Sequence, residues 1–432
     1  MSLYDEIQRH IHNPRISALI IEEVMEPTKG ATAVICPPTY SGGDKGVPHY
    51  AVTEKALIPA RSSSGWHHDN ATVDGVPRLA KRVVVNSVAA CADSAETGLY
   101  RNQQRLGATF PAIVLDATIV DERQLERVLG SAKRKPESAT AEAQVRQAFG
   151  FRASSWELAH RTSDSWLMFA QAPESEGQVW ATDGGVKEIL LNIAHESGDN
   201  VYRHAPNVAP FGNWLSSGTA RRHAIPRAYS CEIAGYGATE AVRGATKLDR
   251  TGGSTKHGRK LAPSPTGLKL GTTGKEPAEF GFGQVPTNPA TRGFQCELIL
   301  RQASISLRAL DRFTYADDAS RAKARAAKTV YTLLGIVGHL LAQEDGFLRS
   351  ECDLITVEER WGWRQHGVRE PQSIEVPTLD EAADALRRAI GAAAEVGLEF
   401  EDEIVLGPSE AQVGLIVDRV LEQVSVTAKD DR

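Results

Sequence analysis

The chain has 432 residues, 41% hydrophobic and 24% charged, with a formal net charge of -6. That length allows one large or two medium domains with a substantial core, in the composition range of soluble globular proteins. The negative net charge argues against a protein that coats nucleic acid by bulk positive charge, and leaves room for a focused groove that neutralises a few phosphates. In chain order, 31–36 is short and β-prone, and Pro37-Pro38-Thr39-Tyr40 stops it. Residues 55–77 are polar and loop-like. Residues 81–85 read as a buried strand, and Asn86-Ser87 then caps a helix over 88–105. Such a turn leaves free N–H groups, a ready anion site. A second buried strand is expected at 112–116 and surface helix over 120–148, with Lys133-Arg134-Lys135 on a basic turn. Residues 186–193 and 228–233 fit either a strand or a short helix. The 294–310 stretch alternates with period two, interrupted near Gln302. Asp317 and Ser320 are placed to cap a long helix over 321–343. Thr378-Leu-Asp-Glu381 is a capping box before a helix over 382–396, and Gly407-Pro408-Ser409 opens a last helix ending near 424. There is no internal repeat. Mixed strands and helices around a strand-led core imply an α+β fold.

The five cysteines, Cys36, Cys91, Cys231, Cys296 and Cys352, are widely spread and lack any Cys-x-x-Cys spacing. Neither a disulfide framework nor a cysteine zinc site is expected, and a reducing cytoplasm fits. Asp5, Glu6, Arg9 and Arg15 interrupt any apolar signal core. No apolar run approaches the roughly 20 residues that span a bilayer.

The most distinctive stretch is 214–285. It is rich in Gly, Ser, Thr and Pro, and carries Arg221, Arg222, Arg227, Arg243, Lys247, Arg250, Lys256, Arg259, Lys260, Lys269 and Lys275. On an acidic chain such a segment is either a solvated loop or the partner of an anion. Glycines among Lys256, Arg259 and Lys260 would let it follow a phosphate backbone. Its aromatics are few, Tyr229 and Tyr236 among them, so backbone contact should dominate over base stacking.

Other candidates are weaker in pattern. His67-His68-Asp69 lacks a further ligand at fixed spacing, as does His10-x-His12, so no metal site is expected. Ser94, Ser216 and Ser217 lack a nucleophile elbow, and there is no Walker loop or dinucleotide-binding glycine motif. His160-Arg161 suits a structural pair, a general base or an RNA contact.

Several stretches in order carry one resemblance. They are Pro37-Pro38-Thr39-Tyr40; Val83-Val84-Val85-Asn86-Ser87-Val88; and His160-Arg161-x-x-Asp164. Pro210-Phe211-Gly212-Asn213-Trp214 and Pro226-Arg227-Ala-Tyr-Ser230-Cys-Glu232-Ile-x-Gly235-Tyr236 follow. Gly281-Phe-Gly-Gln-Val-Pro286 and Leu348-Arg349-Ser350-x-Cys352-Asp353-Leu354 complete the set. Over roughly 30–355 the sequence resembles the RAMP-superfamily backbone subunit (Cas seven family) of type I-G, formerly I-U, CRISPR effector complexes. The family usually carries polar residues along the helix after the Ser87 position; here Ala89, Cys91, Asp93 and Ser94 stand there.

The resemblance implies an RRM-like (ferredoxin-like) palm with large insertions and a C-terminal helical part. The palm would take 1–240 and 291–355, a basic thumb-like insertion 241–290, and an acidic helical part 356–432. It implies copies polymerising along one CRISPR RNA in a Cascade-like antiviral complex, without catalysis or cofactor. Partners would be the CRISPR RNA, target DNA through that guide, other copies of the chain and other effector subunits, but no membrane. On this reading Arg221, Arg222 and Arg227 grip phosphates, with Lys81, Arg82 and Ser87 at the helix-start turn. Lys256, Arg259 and Lys260 clamp RNA or touch a neighbouring copy, and Arg161 and Arg349 add to the surface. The alternative is a CRISPR RNA-processing endonuclease of the same superfamily, with His160 or His68 as general base. A third reading is a structural protein whose basic loop is merely solvated.

Overall fold

The computed structural model describes residues 2–40, 49–131, 139–171, 185–215, 223–243, 260–264, 267–271, 274, 290–316 and 318–429. Ser2 accepts the Asp5 N–H and starts helix α1 (Leu3–Ile11), which buries Ile7, His10 and Ile11 at helical spacing. Strand β1 (Ile16–Pro27) follows, then β2 (Val52–Leu57), β3 (Leu79–Asn86), helix α2 (Val88–Arg101), β4 (Tyr229–Tyr236) and β5 (Leu298–Ser306). Helix α3 (Ser320–Glu344), β6 (Phe347–Arg349), β7 (Cys352–Gln365), β8 (Gln372–Ile374), α4 (Leu379–Ala394) and α5 (Glu410–Lys429) complete the main elements.

The strands form one antiparallel sheet in the order β6-β7-β1-β5-β4-β3-β2, with β8 beside β7. Strand β1 lies centrally and is covered on both faces. Leu19, Ile21 and Met25 join the main core on the helical side, whereas Glu22 meets His67 on the opposite side. A smaller apolar cluster of Ile58, Ala234, Tyr236 and Leu300 occupies that opposite side. Helix α3 packs on α2, α1 and α4. Gly335 and Gly338 permit this approach: a Cβ at Gly338 would stand 3.1 Å from the Ala95 carbonyl, and one at Gly335 2.9 Å from Ile305 Cδ1.

A second sheet joins Ile404–Leu406, Ile113–Asp116 and Arg152–Ser154. Helix α5 packs there with the helices Glu122–Ser131 and Ala139–Gln147 around Val413, Val417 and Leu421. Residues beyond 355 are therefore shared between the two sheets: β7 runs through that position beside β1, α4 covers α3, and Ile404–Leu406 pairs with the 113–116 strand.

The fold is α+β, as the pattern implied. The Ser87-capped helix is present, and the Thr378–Glu381 capping box is formed in both directions. The 186–193 ambiguity resolves to a helix, Val186–Leu191, and that at 228–233 to β4. Three expectations change. The 31–36 segment makes only an isolated bridge, Ile35 with Phe294, because the central strand position is taken by β1. The 294–310 stretch is not one strand: it breaks at Cys296 and Glu297 and turns helical at Leu307–Leu310, while Gln302, where the alternation lapses, stays within β5 and reaches Glu22 at 3.3 Å. Helix α3 begins at Ser320 with Ala319 as a cap that makes no side-chain bond, and Asp317 lies outside the described residues.

Candidate functional site

The run Val83-Val84-Val85 ends at Asn86, and Ser87 turns the chain into α2. Ser87 is extended, and its Oγ accepts the Ala90 N–H at 3.2 Å. No acidic residue occupies the first turn, and Ala89 and Ala90 are exposed. The positive end of the helix dipole and its free N–H groups thus face outward.

One arginine joins this turn from distant sequence, and a second holds α2 further along its length. Arg227, just before β4, is exposed and donates to the Val88 carbonyl at 3.2 Å. Desolvation, then the like charge of Arg161, pulls the Arg227 guanidinium below its ordinary pKa. Arg161 adopts a left-handed backbone (φ 51°), an uncommon conformation for a side chain of this size. Its guanidinium holds Glu96 of α2 through Nε at 2.8–2.9 Å and Nη2 at 2.7 Å. Burial pushes the Glu96 carboxyl up, and Arg161 with Asn207 restrains it at about 6. Asn207 donates to Glu96 at 2.7 Å. Arg161 therefore anchors α2 more than it faces solvent.

A short strand pair sits beside these groups. Asn213–Leu215 pairs with His223–Ile225, and Gly212 (φ 88°) lies against the Arg227 backbone, where a Cβ would come within 3.1 Å of its nitrogen. Ser163 donates to Asn213 at 3.1 Å, tying the 160–164 motif to the same corner. Trp214 projects from the pair and is 70% exposed. The segments carrying Ser87, Arg161, Arg227 and Trp214 are thus linked: Arg227 reaches Val88, Gly212 abuts Arg227, and Ser163 bonds Asn213.

The other expected site residues lie elsewhere. Lys81 stands six residue steps before Ser87, about 20 Å at the usual rise per residue in a strand. Lys81 pairs with Glu240 and, at 3.4 Å, with Glu54; Arg82 pairs with Glu232 and lies over the Tyr236 ring. The Glu240 bond raises the Lys81 ammonium above its ordinary pKa. Both cations are locally neutralised and do not stand at the helix-start turn. Lys260 opens the strand Lys260–Ser264, which pairs with Gly267–Gly271 and lies against α5. Arg349 donates to the Pro37 carbonyl at 3.2 Å. Arg221, Arg222, Lys256 and Arg259 lie outside the described residues.

Sequence reasoning missed the exposure of Trp214, although it had quoted the residue within a motif. Tyr229 and Tyr236, the aromatics it named, are buried. Glu96 and Asn207 were missed as well, since no local pattern marks a buried carboxylate whose partners lie tens of residues away.

The histidines are mostly engaged. His67 meets buried Glu22 at 2.9 Å, and His68 meets Glu370 at 3.2 Å. Ligand-type atoms of Glu23, His339 and Glu359 lie within 4.8 Å of one another. Glu23, however, already binds Arg301 at 3.0 Å, His339 at 3.1 Å and Thr356 at 2.5 Å, while Glu359 accepts from Gln343 and Trp361. A cation would have to displace Arg301, so this is an internal ion-pair network. Burial would raise Glu23, but the His339 bond and the Arg301 charge hold it at about 2. Burial opposes the imidazolium of His339, but its bonds to Cys231 and Glu23 lift it to about 9.

Among the described residues no helix is long and apolar enough to cross a membrane. No curated protein matches the chain. The family model described as CRISPR-associated protein GSU0053 matches residues 19–240, just over half of the sequence. That span contains most of β1, all of β3 and α2, and the residues Ser87, Arg161, Trp214 and Arg227. The chain belongs to the family of CRISPR-associated protein GSU0053.

Proposed function

We propose that this chain is a non-catalytic, RNA-binding backbone subunit of a type I-G CRISPR effector complex. Copies of it polymerise along the guide RNA and support recognition of target DNA through that guide. The observation that carries this reading is the corner itself: an outward helix start capped by Ser87, the exposed cation of Arg227 and the exposed ring of Trp214, in a CRISPR-associated chain. A phosphate at the Ser87 turn is attracted by the helix N–H groups and by Arg227. A neighbouring unpaired base stacks on Trp214, a contact that tolerates any sequence. Arg161 holds α2 in position through Glu96.

The strand arrangement supports a palm of the RRM-like kind. Numbered by chain order, β1, β4, β5 and β7 lie side by side as fourth, first, third and second. Helix α2 falls between the first and second, and α3 between the third and fourth, a β-α-β-β-α-β sequence of elements. Strands β2 and β3 extend this core at one edge.

Photocrosslinking of a 4-thiouridine guide RNA, with crosslinks mapped by mass spectrometry, tests the reading. Adducts at Trp214 and at the 87–90 turn are expected. Crosslinks confined to other surfaces would overturn it.

A further inference from the structure

Beyond the corner at Ser87, four arginines stand where α3 begins. Strand β5 ends at Ser306, which caps the short helix Leu307–Leu310 by accepting the Ala309 N–H at 3.3 Å. Arg308, Arg312, Arg321 and Arg325 are all exposed, and none makes an ion pair among the described residues. Two of the carboxylates nearby are engaged with other groups. Asp311 takes Lys328 at 2.5 Å, and Asp199 takes Lys323 at 2.6 Å and the Ala316 N–H at 3.0 Å. Asp318 stands just ahead of the helix, and Asp317 lies outside the described residues.

The placement of these charges runs against local preference. Cations in the opening turns of a helix meet the positive end of its dipole. Helix α3 nevertheless opens with Arg321 and Arg325 one turn apart and has no acidic residue in its first turn. Exposed arginines at a helix start, none of them ion-paired among the described residues, suit an anionic ligand. The charge is also felt locally: burial, then Arg325 and Lys328, push the His12 imidazole of α1 down.

The patch continues from the first site. The Ser306 N–H donates to the Ala228 carbonyl at 2.8 Å, so Arg227 and Arg308 flank one inter-strand hydrogen bond. Among the described residues from 307 to 330 there is no exposed large hydrophobic side chain. A protein interface would need such a residue at its centre, whereas a phosphate chain needs only cations. Guanidinium forks suit phosphate oxygens particularly well.

We propose that Arg308, Arg312, Arg321 and Arg325 form a second phosphate-contacting surface, which extends the nucleic-acid path beyond Arg227 along the same end of the main sheet. The inference rests on the RNA-binding reading above and adds to it a longer footprint.

The test compares wild type, Arg227→Gln, and the fourfold variant Arg308→Gln/Arg312→Gln/Arg321→Gln/Arg325→Gln. Binding to guide-length single-stranded RNA is measured against salt, with thermal unfolding as the folding control. Engagement of at least two of the four arginines lowers the slope of log K on log salt by about 1.4 or more, at about 0.7 per phosphate. The same loss on single-stranded DNA supports contact with the backbone alone. A fourfold variant with the wild-type slope, beside an Arg227→Gln variant whose slope falls, overturns the patch and leaves the RNA reading standing. So does unchanged RNA affinity with loss of an acidic protein partner. Absence of RNA binding by wild type overturns both.

Discussion

Arg227 donates to the carbonyl of Val88 at 3.2 Å, so the residue entering β4 closes over the first residue of α2. One exposed hydrogen bond therefore fixes a cation beside a helix start that lacks any acidic residue. Arg227→Gln removes the charge but keeps a polar side chain. RNA affinity should fall about 3–10-fold near physiological salt, and the salt slope by about 0.7. Stability should move by no more than ~0.5 kcal/mol, as for other surface substitutions. Fluorescence anisotropy over a salt series reads the first two effects and urea denaturation the third.

Trp214 should behave differently. Trp214→Ala removes a stacking surface and no charge, so affinity should drop by about 1–3 kcal/mol with an unchanged salt slope. Trp214→Phe should recover part of the loss. A change in slope equal to that of Arg227→Gln would mean the ring is not stacking a base.

The Arg161–Glu96 pair is structural in its energetics. Arg161→Ala leaves a carboxylate that is 2% exposed without its main partner, a change worth about 3–5 kcal/mol of lost stability. Glu96→Gln in the same chain should restore much of it, because no uncompensated charge then remains. Denaturant midpoints of the two single variants and the double variant check this. Additive losses would contradict the pairing.

The Glu23–His339 contact predicts a pH window. His339 titrates near 6.5 when unfolded and at about 9 in the fold, so its stabilising charge is complete below 6.5 and is lost as pH rises through 9. Glu23, held at about 2, contributes above its ordinary 4.5 and loses that contribution as pH falls through 2. Stability should therefore decline between pH 6.5 and 9 by on the order of 3 kcal/mol. His339→Gln should be less stable at pH 6 and should abolish that decline. Urea denaturation across the window measures both, and a decline that persists in the variant would assign it to another group.

The segments that read clearly in the sequence are those whose signal is local. Val83-Val84-Val85 followed by Asn86-Ser87 announces a strand, a cap and a helix within a few residues, and Thr378 with Glu381 announces another helix start. Strand β1 is the opposite case. Glu22 and Glu23 break its apolar run, and they are tolerated only because His67, His339 and Arg301 meet them from remote positions. The candidate corner was half legible for the same reason. Ser87, Arg161 and Arg227 were each named, but their meeting depends on Glu96 and on the Asn213–Leu215 pairing, which no spacing encodes. Lys81 and Arg82 looked close to Ser87 along the chain, yet an extended strand carries them away from it.

The most direct measurement is a titration of the purified chain onto a long CRISPR repeat-spacer RNA in a native gel with magnesium. A polymerising scaffold gives a ladder of regularly spaced complexes with the RNA intact. A single shifted species with shortened RNA, lost on His160→Ala, would contradict that account in favour of a processing nuclease.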